Sequence, residues 1–178
     1  MMDQPHEPQI TADGVAYLRT PEAAFAGLTD FPYGPKYASF QGLRMHYVDE
    51  GPRDGPVALL MHGMPTWSYL NRHLIRRLTA AGYRCVAADH IGFGRSDKVV
   101  DDGWYSIDRH VQAHRALIEG LDLRNITLFF QAWGGPISLA HVAEPPARFD
   151  RPGTLLPSPP AFPFTGLAPR SLAVRVRG

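Results

Sequence analysis

The chain has 178 residues, which suffice for one domain with a hydrophobic core and are too few for two ordinary domains. Its 44% hydrophobic and 20% charged residues exclude wholesale disorder, and a net charge of +1 provides no basic field that would hold a nucleic acid. The single cysteine, Cys85, excludes a disulfide framework, and it fits a reducing compartment, so we expect a cytoplasmic protein. The first ten residues are polar and predict no secretory signal.

The first half of the chain begins with an irregular segment. Residues 1–35 are interrupted by prolines and weakly periodic, and we expect an arm over a domain whose regular structure starts near Lys36. Two runs of β type, residues 37–40 and 43–49, flank Gln41-Gly42 and predict a hairpin. A continuous apolar run over residues 57–61 then predicts a strand buried on both faces.

Helices and strands alternate after this strand. Apolar residues recur every three or four positions and predict a helix over about residues 66–81, with a buried row of Trp67, Leu70, Leu74, Leu78 and Ala81. Residues 84–88 predict another short strand. Ser106 can cap a second helix, whose inner row is Ile107, Val111, His114, Ile118 and Leu121. Residues 125–130 predict a third buried strand, and a helix over 134–144 follows, ended by Pro145-Pro146.

This alternation predicts the α/β fold class, with an open, mostly parallel sheet of about five strands and helices on both faces. Residues 126–143 carry no formal charge and approach the length of a membrane span, but glycine, proline and polar residues interrupt them. We therefore expect no membrane span there. From residue 151 onward the chain has four arginines, no acidic residue and no period, so we expect residues 151–178 to be an unstructured or out-of-frame tail.

Three turns follow the predicted parallel strands, at the sheet edge where α/β proteins bind ligands. They comprise residues 62–65, 89–97 and 131–135. The last turn has the features of a nucleophile elbow, in which a buried strand turns sharply into a helix and lifts one side chain above the helix N-terminus. The lifted residue is Ala132.

Four segments resemble haloalkane dehalogenases of the α/β-hydrolase superfamily in their order and spacing. They read HGMPTWSYL at 62–70, GFGRSDK at 92–98, LDLRNITL at 121–128 and QAWGG at 131–135. The resemblance covers about residues 37–151. It implies a partial α/β-hydrolase fold over residues 36–150, without the cap and the C-terminal part of the family. Epoxide hydrolases share parts of the first and last segments.

The resemblance implies a carboxylate nucleophile that displaces halide from an alkyl carbon, and a histidine-activated water that hydrolyses the resulting ester. It places Ala132 at the nucleophile position, the oxyanion-hole amides on Met64 and Trp133, and the halide-binding indole on Trp133. The other matching positions are His62, Gly63, Pro65, Trp67 and Gly134. The methyl group of Ala132 cannot attack carbon, and the thioether of Met64 cannot donate a hydrogen bond to halide. We expect this chain to lack the family's catalytic histidine and supporting acid.

We therefore expect a haloalkane dehalogenase-like hydrolase that does not turn over substrate and that needs no metal or cofactor. One alternative is a binding or scaffold protein that holds a small apolar or halogenated molecule with Met64, Trp67 and Trp133. Another is an epoxide-hydrolase-like relative. We expect no nucleic-acid or membrane partner.

Other polar residues have structural interpretations. Asp89 is expected to be an acceptor at a strand end, and His114 a hydrogen-bonded core histidine. His110 and His114 lie four residues apart, as metal ligands can, but no third ligand accompanies them. The resemblance places the strand over residues 126–130 beside the strand over 57–61 and implies that its other edge is open, which favours self-association and poor solubility.

Overall fold

The computed structural model describes residues 7–143 and 151–155. These residues form nine strands and three α-helices. The strands are β1 Gln9–Ile10, β2 Ala16–Leu18, β3 Lys36–Phe40, β4 Leu43–Glu50, β5 Val57–Met61, β6 Arg84–Ala88, β7 Lys98–Val99, β8 Ile126–Phe130 and β9 Arg151–Leu155. The helices are α1 Arg72–Ala80, α2 Ile107–Gly120 and α3 Gly134–Ala143.

Six of the strands form one mixed sheet in the order β3-β4-β6-β5-β8-β9. The hairpin β3-β4 and the pair β4-β6 are antiparallel, whereas β5 pairs in parallel with β6 and β8. Both central turn residues of the hairpin, Gln41 and Gly42, have positive φ angles of 51° and 76°, as a two-residue turn of matching twist requires. The predicted hairpin and the predicted pairing of residues 126–130 with 57–61 are therefore confirmed.

The apolar runs of β5 and β6 lie at the centre of the sheet and are buried along their whole length. Alternate side chains of these strands face opposite layers. Leu59 and Val86 pack in the cluster that holds residues of α2 and α3, while Leu60 and Ala87 pack in the cluster that holds Ile75 of α1. Helices thus cover both faces of the sheet, which confirms the predicted α/β class.

The predicted helix over residues 66–81 is shorter than expected. A 3₁₀ turn covers Ser68–Asn71 and α1 begins only at Arg72. Because a 3₁₀ turn holds three residues per turn and not 3.6, the phase of the helix changes at its start. Leu70 is consequently 40% exposed, and Ile75, which the predicted row omits, is fully buried. The prediction of Leu70 as a packed residue is wrong.

The second predicted helix has the cap that the sequence indicates. The Ser106 side chain accepts a hydrogen bond from the Arg109 amide, and α2 begins at Ile107. The predicted inner row is confirmed at Val111, His114 and Ile118, which are buried. It is wrong at Ile107, which occupies the first helical position and is 39% exposed.

Regular structure begins well before Lys36, contrary to our expectation. The strand β2 pairs with β1 on one side and with β7 on the other, so a second, three-stranded sheet joins the arm to the domain. The Arg19 guanidinium also donates to both carboxylate oxygens of Asp97, at 2.7 and 2.8 Å. The sequence pattern missed these strands because two or three residues carry no detectable period.

We expected residues 151–178 to be unstructured, but their first five residues form the strand β9. Three of its five residues, Arg151, Thr154 and Leu155, pair in parallel with β8, with an irregularity in the register. The edge of β8 that we expected to be open is therefore covered, and the premise for self-association through that edge does not hold. Residues 156–178 and the predicted helix stop at Pro145-Pro146 lie outside the described residues.

The uncharged stretch over residues 126–143 divides into β8, a turn and α3, as predicted. Among the helices of the described residues, none combines the length and the apolar character needed to cross a bilayer.

Candidate active site

The turn between β8 and α3 has the geometry of a nucleophile elbow. Phe130 ends the strand and Gly134 begins the helix, and two short hydrogen bonds close the turn: the Gly134 amide donates to the Gln131 carbonyl at 2.8 Å, and the Gly135 amide donates to the Ala132 carbonyl at 2.9 Å. At the apex, Ala132 has a φ angle of +46°. A residue with a Cβ atom occupies this left-handed region at a cost of about 1–2 kcal/mol.

Two glycines allow the elbow to approach the neighbouring turn. A Cβ atom on Gly63 would lie 2.7 Å from the Ala132 Cβ and 2.7 Å from the Gln131 carbonyl oxygen. A Cβ atom on Gly134 would lie 2.6 Å from the carbonyl oxygen of Met61. Since backbone atoms fill both spaces, only glycine fits at these positions without displacing the main chain.

We expect Gly134→Ala to destabilise the fold by about 1–3 kcal/mol, because the new methyl group overlaps the main chain of β5. Gly120→Ala is the matched control. Gly120 is also helical, at the end of α2, and nothing lies within 4 Å of its missing Cβ, so alanine should stabilise the protein by about 0.5–1 kcal/mol. Urea denaturation followed by circular dichroism measures both changes. Equal effects from the two variants would contradict the packing explanation.

The predicted oxyanion-hole residues border the elbow from two elements. Met64 follows β5 through Gly63, and Trp133 directly precedes α3. Their side chains are 45% and 46% exposed. Within residues 7–143 and 151–155, neither backbone N–H donates a hydrogen bond. Two unpartnered amides near a helix N-terminus can bind an anion. The apex residue itself, Ala132, presents only a methyl group.

Trp67 and Pro65 extend from the same loop but have different surroundings. The Trp67 ring stacks on Tyr69 at a centroid distance of 5.5 Å and lies at the same distance from Phe25 and Phe31. These contacts place it in the aromatic cluster on the α1 side of the sheet. Pro65 is exposed. The structure therefore gives Trp67 a packing role among aromatic side chains.

A cluster of histidines lies inside the domain at the same sheet edge. Its members are buried and come from the ends of two parallel strands and from two helices: His62, His90, His110, His114 and His141. The Nε2 of His114 lies 2.6 Å from Nδ1 of His90, which confirms the prediction of a hydrogen-bonded core histidine. Our sequence reading missed the role of His90. The detectable signal is that His62 and His90 follow neighbouring apolar strands.

Burial lowers the pKa of each of four histidines in this cluster. The pKa of His110 falls to about 4, and the pKa values of His62, His90 and His114 also lie below the ordinary value of 6.5. The neighbouring imidazoles add to this effect for His90, His110 and His114, because each would repel a second positive charge. These four histidines are therefore neutral near pH 7. Among the described residues, no group of three or more histidine, cysteine or acidic side chains could hold a metal ion.

Asp89 ties three segments together at this edge, as expected for a structural acceptor. One of its carboxylate oxygens accepts from the Ser68 amide at 2.7 Å, and the other from the His46 ring at 2.8 Å and from the Arg95 amide at 2.9 Å. Burial by itself raises the pKa of Asp89, but the His46 ring and the Arg95 amide outweigh it, and the pKa lies below its ordinary value. The ionised carboxylate thus holds the loop over residues 89–97 against the start of the 3₁₀ turn.

Comparisons with known proteins agree with this geometry. A model of the alpha/beta hydrolase fold matches residues 56–170. A haloalkane dehalogenase of Psychrobacter cryohalolentis is 49% identical over 149 residues, which cover 79% of this chain and 49% of the relative. The structure of the tetrameric haloalkane dehalogenase DpaA from Paraglaciecola agarilytica matches with a TM-score of 0.72 at 46% identity, over 75% of this chain and 46% of that one.

Epoxide hydrolases are also similar. A variant of the Vigna radiata enzyme matches with a TM-score of 0.62 at 29% identity, over 71% of this chain and 38% of that one. The chain spans about half the length of the curated relatives it matches. The sheet order, the elbow and these similarities together establish that the chain belongs to the α/β-hydrolase family and is similar to haloalkane dehalogenases.

Proposed function

We propose that the chain is a haloalkane dehalogenase-like protein that binds halide or a small halogenated molecule at its elbow without hydrolysing the carbon–halogen bond. The observation that carries this proposal is the methyl side chain of Ala132 at the apex. In a dehalogenase reaction, a carboxylate oxygen at this position attacks the carbon while halide leaves with the bonding electrons. A methyl group has no lone pair, so no ester can form.

The binding part of the proposal rests on the two backbone amides. The N–H groups of Met64 and Trp133 border the apex, and neither donates a hydrogen bond within the described part of the chain. The positive end of the α3 dipole lies at the same place, since Trp133 immediately precedes Gly134. Together they favour an anion or the electronegative end of a polarised bond.

Bromide release from a short bromoalkane tests the catalytic part. We expect release at the rate of buffer alone, because loss of a nucleophile lowers rates of such reactions by about 10⁴–10⁶. Heat-denatured protein is the control. Bromide that accumulates in proportion to native protein, well above that control, would contradict the proposal of inactivity.

A second candidate function is the binding of an uncharged apolar molecule. The nearly half-exposed side chains of Met64 and Trp133 favour it, because both present apolar surface beside the elbow. Quenching of tryptophan fluorescence separates the two candidates. An apolar alcohol that quenches saturably in wild type and not in Trp133→Ala would support apolar binding, whereas saturable quenching by bromide alone would support the anion site.

The same proposal places the protein in the cytoplasm. Its support is the lone cysteine, which is buried as a thiol in β6, where burial raises its pKa to about 12 and keeps it unreactive.

A further inference from the structure

Three of the buried histidines form one hydrogen-bonded chain. The Nε2 of His114 lies 2.6 Å from Nδ1 of His90, and the Nε2 of His90 lies 2.8 Å from the carbonyl oxygen of His62. The backbone amide of His90 lies 2.9 Å from Nε2 of His62. Finally, the Nδ1 of His62 lies 3.1 Å from the carbonyl oxygen of Gly63. All three side chains are at most 2% exposed.

The partners fix which nitrogen carries each proton. A backbone N–H can only donate, so Nε2 of His62 accepts and its Nδ1 carries the proton. A carbonyl oxygen can only accept, so Nε2 of His90 carries a proton. With His90 neutral, its Nδ1 accepts and Nε2 of His114 donates. The donors therefore all point the same way: the His114 ring donates to the His90 ring, the His90 ring to the backbone carbonyl of His62, and the His62 ring to the carbonyl of Gly63.

The carbonyl oxygen of Gly63 is the end of this chain and accepts two further hydrogen bonds. The Thr66 amide donates to it at 2.9 Å and the Thr66 hydroxyl at 2.6 Å. The Gly63–Met64 peptide bond is trans, so the Met64 N–H lies in the same plane and points away from these three donors. Fixing the carbonyl group therefore fixes the direction of the Met64 N–H, and the bonds at the oxygen polarise the peptide group.

We propose that His62 is a positioning residue that aims the Met64 N–H at the elbow. In this proposal the backbone amide of His90 holds the His62 ring in the required tautomer, and the rings of His90 and His114 anchor the His62 main chain through its carbonyl oxygen. This inference rests on the proposed anion site, whose first donor is that amide. It adds a function for side chains that make no contact with the bound anion.

The hydrogen-bonded chain persists only while its three imidazole rings are neutral. A proton on Nε2 of His62 would face the His90 amide, and a proton on Nδ1 of His90 would face the His114 donor. The negative charge of Asp89 by itself raises the pKa of His62, and the Phe93 ring packs edge-on against the His62 ring. Charge repulsion from His110 and His141 lowers the pKa of His114, and the Tyr105 ring stacks on His110. Burial opposes protonation throughout this group.

Nitrogen-15 spectra of the histidine rings test the proposal directly in wild type near pH 7. We expect the proton on Nδ1 of His62 and on Nε2 of both His90 and His114. The exposed His73 of α1 serves as the reference for an unconstrained ring. A different tautomer, or a charged ring, at any of the three positions would overturn the proposal, and this measurement needs no variant.

Two variants of His62 then separate positioning from space filling. His62→Asn places an amide nitrogen near the Nδ1 position and can still donate to the Gly63 carbonyl, whereas His62→Gln reaches the Nε2 position and cannot. In protein labelled with ¹⁵N-methionine, with Met64→Leu used to identify the signal, we expect the Met64 amide to keep its chemical shift in His62→Asn and to move in His62→Gln. Equal behaviour of the two variants would overturn the positioning function.

A bromide titration of the same samples distinguishes this inference from the proposed function. We expect bromide to shift the Met64 amide of wild type and to bind about tenfold more weakly to His62→Gln, since one well-aligned hydrogen bond to an ion contributes roughly that factor. If bromide leaves the wild-type signal unchanged while the tautomers and the two variants behave as expected, the anion site is wrong and the positioning of the amide stands.

Discussion

We expect an alkyl bromide to alkylate the Ala132→Asp variant once and no further, whereas we propose that the wild-type chain is not alkylated. The new carboxylate lies at the apex of the elbow, where one of its oxygens can attack the carbon as bromide leaves. Aspartate also tolerates the φ angle of +46° better than most residues with a side chain, so the fold should accept it. Intact mass spectrometry should show a gain of one alkyl group, with one equivalent of bromide released.

Turnover should not follow, because hydrolysis of the ester needs a base that removes a proton from water. His62 and His90 are unsuited to this, since both ring nitrogens of each are engaged in hydrogen bonds and burial lowers their pKa values. The matched control is Ala132→Asn, which has nearly the same size and no nucleophilic carboxylate. Alkylation of this control, or continued bromide release by Ala132→Asp, would contradict the explanation.

A second large effect is expected on acidification. An unfolded histidine takes up its proton near pH 6.5, while the folded protein lowers the pKa of His62, His90, His110 and His114. The unfolded state therefore binds more protons below pH 6.5, and stability falls as the pH falls. Each such proton contributes about 1.4 kcal/mol per pH unit, so the four histidines together should make the stability fall steeply below about pH 6.5. Asp49 and Asp89, whose pKa values are also lowered, add to the loss only at lower pH.

Urea midpoints measured from pH 7.5 to pH 4.5 give this slope. His110→Phe should reduce it by about one proton, because the pKa of His110 is about 4 in the folded state and phenylalanine keeps a ring beside Tyr105. His73→Gln, on the exposed surface of α1, is the matched control for replacing a histidine outside the cluster. An unchanged slope in His110→Phe would show that this histidine is not the buried neutral group that the structure indicates.

Local patterns predicted the centre of the sheet well. The bounds of β5 and β6 agree with the prediction because strands buried on both faces read as continuous apolar runs. The elbow could also be predicted, since small residues after a buried strand leave few other conformations. In both cases the information lies within five or six neighbouring residues.

Features that depend on distant parts of the chain could not be predicted in this way. The strand β9 contains Pro152 and Gly153, which disfavour a strand, and only the exposed edge of β8 makes it one. The exposure of Leu70 depends on the 3₁₀ turn, which Asp89 stabilises through the Ser68 amide. Likewise, no spacing rule joins His62 to His90 and His114, because a buried polar chain forms only when three elements meet.

The contacts of the arm, residues 1–35, also constrain the order in which the protein can fold during translation. Arg19 leaves the ribosome 78 residues before its partner Asp97. The strand β2 is likewise synthesised well before β7, the strand that completes its sheet. Until then, β2 can pair only with β1, and the closure of so long a loop opposes its pairing with β7. We therefore expect these strands to attach to the domain only after residues 97–99 have been synthesised, although they are the first strands of the chain to be made.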